Sequence, residues 1–278
     1  MKLTQILEGC GIAAVKGDAR VDITGITCDS RSVTPGSLFI AVKGAAADGH
    51  RFIGSAIEKG AAAILCQDEP ESIPEGVTLA VASDSRKALA FAADNFYGHP
   101  SRKLELVGIT GTNGKTTTVT LLYNLFRGLG YNCGLLSTIA NYVGTRRSET
   151  VNTTADPITI NRLLAEMVEA GCGYCFMEVS SIGVEQDRVA GLRFRAGIFS
   201  NLTHDHLDYH GTFAEYLRCK KLFFDGLSKE AAAIINIDDK NGRVMVQNCA
   251  ARVVTYSCRS MADHTCRMME ESFEGMLL

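Results

Sequence analysis

The spacing of apolar residues changes character near residue 100. Before it, Val21-Asp-Ile-Thr-Gly-Ile26 alternates with a period of two, as a half-buried strand does. A Pro35-Gly36 turn leads into the strand Ser37–Val42, and small apolar residues make another at 62–66. Phe52, Ile53, Ala56 and Ile57 predict a helix stopped by Gly60, and 85–96 a second, capped near Ser83–Ser85. From 104 onward, apolar runs alternate with segments of 3.6-residue period. Strands are expected at 104–109, 133–137, 174–179, 196–200 and 232–237, and helices at about 115–129, 157–170 and 213–227. In the first of these helices Leu121, Leu122, Leu125, Phe126 and Leu129 should share the core-facing side. This alternation predicts an α/β fold with a doubly wound, mostly parallel sheet. The polar, Gly/Pro-containing stretch 97–103 reads as a joint. The expected organisation is an N-terminal α/β domain over 1–98, a linker over 99–103 and a central domain over 104–278. The chain closes on the apolar run Ser272–Leu278 with no element to complete it, which makes the central domain look truncated.

Composition narrows the class. The 278 residues are 46% hydrophobic and 21% charged, as in globular proteins, and the length allows about two domains. A net charge of −3 offers no basic field for nucleic acid, and no apolar run is long enough to insert in a membrane. No secretory signal is visible at the N-terminus, so a cytoplasmic location and reduced thiols for the ten cysteines are expected. Cys172-Gly-Tyr-Cys175 has no partner pair and reads as turn and core cysteines ahead of any redox or metal role.

Candidate chemistry gathers around the stretch after the 104–109 strand. Gly111-Thr-Asn-Gly-Lys-Thr-Thr117 lies between that strand and a helix start, the arrangement of a phosphate cradle. Lys115 can reach terminal phosphates and the Thr116 hydroxyl a magnesium ion. The general P-loop pattern would need a glycine where Ile109 stands. Glu178 ends another apolar strand, where a carboxylate either holds magnesium or is merely solvated. His204, Asp205, His206, Asp208 and His210 crowd seven residues. Their H-x-H-x-D-x-H spacing is one residue off the metallo-hydrolase pattern, so a magnesium or substrate role, or a surface cluster, remains. Lys220 falls inside the apolar stripe of its helix, whereas Lys221 is turned about 100° away and should face solvent. Lys220 either snorkels outward or is held in a drier site, where the neutral amine can take up carbon dioxide as a carbamate.

Together these motifs resemble the Mur ligases of bacterial cell-wall synthesis, and within them the branch that attaches the third residue of the stem peptide. The resemblance rests on Asp29-Ser-Arg31, Asp48-Gly-His-Arg-Phe-Ile53, Gly111–Thr117, Asn152-Thr-Thr154, Met177-Glu-Val-Ser-Ser181, Gln186-Asp-Arg188, Asn201–Gly211 and Tyr216-Leu-Arg-Cys-Lys220. It covers essentially the whole chain and accounts for Ile109, because that family uses T-G-T-N-G-K-[ST]. The folate-polyglutamate ligases share the cradle but lack the Asp29-Ser-Arg31 domain.

The resemblance implies an ATP-dependent amide-bond ligase of peptidoglycan precursor synthesis. A carboxylate of UDP-N-acetylmuramoyl-L-Ala-D-Glu would attack the γ-phosphate of ATP, and the amine of diaminopimelate or lysine would then displace phosphate from the acyl phosphate. It implies ATP at Gly111, Thr112, Asn113, Gly114, Lys115, Thr116 and Thr117. Magnesium (Mg2+) would lie at Thr116, Glu178 and His206, with carbamylated Lys220 at a second ion; Lys115, Lys220 and His206 would be catalytic. Ser30 would meet the uridine diphosphate end of the substrate, and Asn152, Thr153, Thr154, Ser180, Gln186 and Arg188 the muramoyl-dipeptide. A monomer is expected. The chain departs from the family pattern at Ile182, where a histidine is usual and whose loss should cost local ordering, and at Ala155, where proline is usual. Nothing corresponds to the family's third, C-terminal domain, so a non-catalytic UDP-sugar and nucleotide binding module is the alternative expectation.

Overall fold

The computed structural model describes residues 1–44, 47–203, 205, 207–266, 270–272 and 275–277. They fall into two compact units. The first is Met1–Pro100 with Asp156–Ala165 and Gln186–Leu192; the second is Ser101–Ala155, Glu166–Glu185 and Arg193–Leu278.

The first unit is built on a five-stranded sheet. Its strands are β1 (Ile12–Lys16), β2 (Gly25–Thr27), β3 (Ser37–Ile40), β4 (Ala63–Cys66) and β5 (Thr78–Ala82), in the spatial order β1-β5-β4-β3-β2. All neighbours are parallel except β1, which runs antiparallel to β5 at the edge. Strands β3 and β4 are buried along their whole length because helices cover both faces. Successive side chains therefore feed two cores. Leu38, Ile40, Ala63 and Leu65 join Leu3 and Ile6 of helix α1 (Leu3–Ile6) and Ala88 and Ala92 of α3 (Ser85–Phe96). Phe39, Ile64 and Cys66 join Ile53 and Ala56 of α2 (Ile53–Glu58). Asp84 caps α3 by accepting from the Arg86 and Lys87 amides, satisfying two orphan donors of the first turn.

A nine-stranded sheet carries the second unit. Its strands are β6 (Glu105–Thr110), β7 (Cys133–Leu136), β8 (Asn141–Val143), β9 (Arg146–Ser148), β10 (Tyr174–Glu178), β11 (Ala196–Phe199), β12 (Ala232–Asn236), β13 (Arg252–Ser257) and β14 (His264–Thr265). The order is β14-β13-β12-β11-β6-β10-β7-β8-β9, parallel up to β7 and antiparallel through the β8–β9 hairpin. A separate pair, β15 (Glu270–Ser272) and β16 (Gly275–Leu277), closes the described chain. The long helices are α4 (Lys115–Gly128), α5 (Pro157–Glu169), which begins in the first unit, and α8 (Phe213–Asp225). Between the last two come the short α6 (Ser181–Glu185) and α7 (Leu207–His210), and α9 (Gly242–Met245) follows. The expected doubly wound, mostly parallel sheet is present. Among the described residues no helix is long and apolar enough to cross a membrane. All ten cysteines are free thiols, and Cys172 and Cys175 are buried.

One expectation about packing fails. Helix α4 turns Val119 and Tyr123 inward, against Cys133, Leu135 and Phe176, with Leu122 and Phe126 alongside. Leu121, Leu125 and Leu129 are 63%, 56% and 64% exposed. The helix is apolar over more than one face, and the positions of β7 and β10 decide which face is covered.

Candidate active site

Strand β6 lies at the centre of the parallel sheet, and the chain leaves it toward β7 on one side before returning to build β11 on the other. Loops that follow β6, β10 and β11 therefore diverge at one carboxyl edge, the place where open α/β sheets bind ligands. The glycine turn after β6 is held there by the loop after β11. Thr112 donates its amide to the Asn201 carbonyl at 2.9 Å, and Asn113 donates to Asn201 Oδ1 at 3.0 Å. Ser200 Oγ and Asn201 Nδ2 both donate to the Asn113 carbonyl, at 2.8 and 3.1 Å. Gly111 adopts φ +153°, and a Cβ there would lie 1.9 Å from Ser200 Oγ. Only glycine lets the turn pass this close. Gly114 then takes a left-handed φ of +86° at the start of α4. The amides of that first turn have no intrahelical acceptor and carry the positive end of the helix dipole.

Two lysines converge on this turn. Lys115 Nζ donates to the carbonyls of Gly111 and Thr112, both at 2.9 Å. Lys220 Nζ, from α8, donates to the same Gly111 carbonyl at 2.9 Å and lies 4.6 Å from the centre of the Tyr216 ring. Lys220 is only 1% exposed. Burial, reinforced by the charge of Lys115 and opposed by Asp205, pushes its amine down to about 7. Lys115 is shifted down too, by burial, with the charges of Glu178 and Asp205 pulling the other way. Helix α8 can sit this close because Gly108 and Gly197 leave room for Phe223 and its neighbours; a Cβ on either would lie within 3.0 Å of that ring. Tyr216 fixes the start of α8 to the turn through a 3.1 Å bond between its hydroxyl and Thr112 Oγ1. Lys221 does not face solvent as expected. It pairs with Asp225 at 2.6 Å, its side chain 13% exposed.

Glu178 ends β10 and is 1% exposed. In register with Ile109, it shares the sheet face covered by α4, the helix that carries Thr116 and Thr117. Its oxygens accept from the Thr138 amide (2.8 Å) and hydroxyl (3.1 Å), and Thr138 Oγ1 lies 3.1 Å from Thr153 Oγ1. Thr154 Oγ1 donates to the Glu178 carbonyl and accepts from the Ser180 amide. Glu178, Thr153, Thr154 and Ser180 thus belong to one network, while Asn152 is exposed beside it, its carbonyl accepting from Thr150. Ser180 Oγ accepts the Gly183 amide, and Ser181 Oγ is 2.9 Å from His210 Nε2. These bonds order the start of α6 without the histidine expected where Ile182 stands. Sequence reasoning missed Thr138 and Ser200, which lie in no motif and become visible only once loops from separate strands meet.

The remaining candidates lie elsewhere. Ser30 opens a single 3-10 turn in the first unit, where Asp29 accepts from the Arg31 amide and guanidinium and is held down to about 2 by those bonds. Gln186 and Arg188 also group with the first unit, Arg188 Nη2 donating to Gln186 Oε1 at 2.7 Å. His206 and His204 lie outside the described residues. Among the described residues no three His, Cys, Asp or Glu side chains form a ready cation cage. A metal here would rest on a hydroxyl, one carboxylate and groups brought by a ligand, as magnesium beside phosphates does.

Comparison with known proteins agrees with this geometry. Residues 109–277 match the Mur ligase middle domain, and residues 22–101 match the Mur ligase family catalytic domain. The UDP-N-acetylmuramoyl-L-alanyl-D-glutamate–2,6-diaminopimelate ligases of Phocaeicola vulgatus and Bacteroides fragilis are each 53% identical to the chain over 278 residues. That match takes in all of this chain and 57% of each relative, so the chain spans little more than half the length of these curated relatives. A solved structure of a ligase with the same name superimposes with a TM-score of 0.83 at 25% identity, covering 99% of this chain and 56% of that one. The UDP-N-acetylmuramoylalanyl-D-glutamyl-2,6-diaminopimelate–D-alanyl-D-alanyl ligase of Acinetobacter baumannii shares the fold at a TM-score of 0.57 and 19% identity, over 84% of this chain and 48% of its own. With the middle-domain match alone spanning more than half of its residues, and with the glycine turn, the paired lysines and the strand-end glutamate in place, the chain belongs to the Mur ligase family.

Proposed function

We propose that this chain is the substrate- and ATP-binding part of an ATP-dependent ligase that adds the third amino acid to UDP-N-acetylmuramoyl-L-Ala-D-Glu. The names of the 53% identical relatives favour diaminopimelate over lysine as that amino acid. In this reading residues 1–98 hold the UDP end of the substrate, through Ser30, and 104–278 hold ATP. Asn152, Thr153, Thr154, Ser180, Gln186 and Arg188 meet the muramoyl-dipeptide. A cytoplasmic monomer fits the reading.

The observation that carries it is the convergence of Lys115 and Lys220 on the carbonyl of Gly111, a residue on which no Cβ fits. The turn fits triphosphate: Lys115–Thr117 carry first-turn amides with no intrahelical acceptor, and Lys115 is folded back on the carbonyls of Gly111 and Thr112. Released from those carbonyls, the Lys115 ammonium neutralises charge on the transferring phosphoryl group. Thr116 and Glu178 would hold magnesium together with His206. When bound, that ion supplies further neutralisation of phosphate oxygens. Lys220 fits a carbamate because its buried amine, at about 7, is partly neutral near neutral pH. The substrate's carboxylate and the incoming amine are brought together by position, with water kept from the acyl phosphate between them.

Lys115→Ala, made in a protein of the relatives' full length, tests the assignment. Losing one such donor costs on the order of 10²–10³ in turnover. ATP-dependent phosphate release should fall by at least that much with an unchanged circular dichroism spectrum. Near-normal release from the variant would remove the basis for placing ATP at this turn.

A further inference from the structure

Thr110, the last residue of β6, is fully buried, and its hydroxyl has no hydrogen-bond partner among the described residues. Leaving a buried hydroxyl unpaired is unfavourable, and valine would fill the same space without that penalty. The hydroxyl is therefore a group whose partner arrives later, and the sheet shows from which side. Side chains alternate along β6, so Thr110 shares a face with Gly108 and opposes Ile109. A Cβ on Gly108 would meet Phe194 and Phe223, whereas Ile109 belongs to the core under α4. The parallel register pairs Thr110 with Phe199, whose ring packs on Phe224. Both observations turn Thr110 toward α8. Lys220 lies one helical turn before Phe223 and Phe224, on the same face of α8, and its Nζ reaches the carbonyl of Gly111, the residue next to Thr110.

We propose that Thr110 is a positioning residue whose hydroxyl donates a hydrogen bond to a carbamate oxygen formed on Lys220. The inference rests on the reading of Lys220 given above. In that step the lone pair of the neutral amine forms a C–N bond to carbon dioxide, one C=O π pair moves onto oxygen, and one amine proton leaves to solvent. The nitrogen keeps a single hydrogen, which can still donate to the Gly111 carbonyl. The two new oxygens need donors in a dry site, and the Thr110 hydroxyl is a buried donor with no other partner among the described residues. Threonine rather than valine at this position is thereby explained.

The test uses carbon-13 NMR of the purified protein equilibrated with 13C-bicarbonate and magnesium. The unsubstituted protein should show a carbamate resonance that Lys220→Ala abolishes. Thr110→Ser should keep it. Thr110→Val should melt no lower than the unsubstituted protein, yet need about tenfold more bicarbonate for half-occupancy, the loss expected for a hydrogen bond to a charged group. Thr110→Ala serves as a second hydroxyl-free variant should valine disturb the fold. A bicarbonate dependence unchanged in both hydroxyl-free variants, or shifted equally in Thr110→Ser, overturns the role of Thr110 while leaving the carbamate intact. Absence of any resonance in the unsubstituted protein overturns the reading of Lys220 itself, and Thr110 falls with it.

Discussion

Among the described residues the buried Lys220 amine bonds one carbonyl and has a neighbouring cation, Lys115, with the negative charge of Asp205 opposing the downward shift. Its amine titrates near 10.5 in the unfolded chain and at about 7 in the folded one. Between these values the unfolded state holds more protons, so this residue makes stability rise with pH across that window. Below about pH 7 both states are protonated and the full cost of burying the charge is present. Lys220→Met should therefore raise the melting temperature most on the acid side, in carbon dioxide-free buffer, and the gain should shrink as pH climbs above 7. A gain that grew with pH would mean that the ammonium is stabilised in its site. The facing of Lys220 was legible in sequence, because helical spacing puts it with Tyr216, Phe223 and Phe224. Asp225 as a neighbour of Lys221 was legible too, one helical turn on in α8, but the covering that leaves Lys221 13% exposed was not, because it depends on packing from neighbouring elements. His50 shows the same limit: Asp48 sits 2.6 Å from its Nδ1, and the amides of Gln67 and Asp68 donate to its Nε2. The ring thereby clamps two loops together, donating at one nitrogen and accepting at the other, which no local pattern around residue 50 reveals.

Elements were legible where one pattern dominated. Helices α3, α4, α5 and α8 and the five central strands of the second sheet follow their periodicities closely, because each presents a long apolar signal. Other strands escaped, among them β5 and β13, for which none was expected, and the short edge pieces β8 and β9, whose hairpin signal, Gly144-Thr145 between Val143 and Arg146, is a weak one. The inward face of α4 escaped for a different reason, since 3.6-residue spacing cannot choose between two apolar stripes. The turn before α4 is the opposite case, dictated by steric contact. Gly111→Ala places a methyl group 1.9 Å from Ser200 Oγ and 3.1 Å from the Asn201 backbone. Overpacking of this kind costs roughly 1–3 kcal/mol. Chemical denaturation should show that loss, and Ser200→Gly should restore part of it by removing the nearest atom. The double substitution must then be less destabilised than the sum of the single ones. Strict additivity would show that the glycine is required for its φ alone.

At the scale of the whole molecule, a reading along the chain places 156–165 and 186–192 in the central block, whereas contacts group them with the first unit. The physical reason is visible in α5. Ile158 packs against the cluster that holds Leu3, Ile6, Leu38, Ile40 and Leu65, so a helix that begins at Pro157, well past the joint at 97–103, contributes to the core of the first unit. The same discontinuity gives a test of how the first unit is held together. Residues 1–100 contain all five strands of its sheet and the helices α1, α2 and α3, yet they lack Ile158, which packs on the core of that sheet. Removing a buried aliphatic side chain from a core costs about 2–5 kcal/mol, and less where, as for Ile158, the side chain is only partly covered. Residues 1–100 expressed alone should therefore unfold at lower denaturant than the same unit within the 278-residue chain, and should bind a hydrophobic dye at the uncovered patch. Ile158→Ala in the whole chain should move the unit part of the way toward that lower midpoint, because it removes the contact while keeping the covalent connection. Equal midpoints for the fragment, the variant and the unsubstituted chain would show that the late segments lie against the first unit without stabilising it.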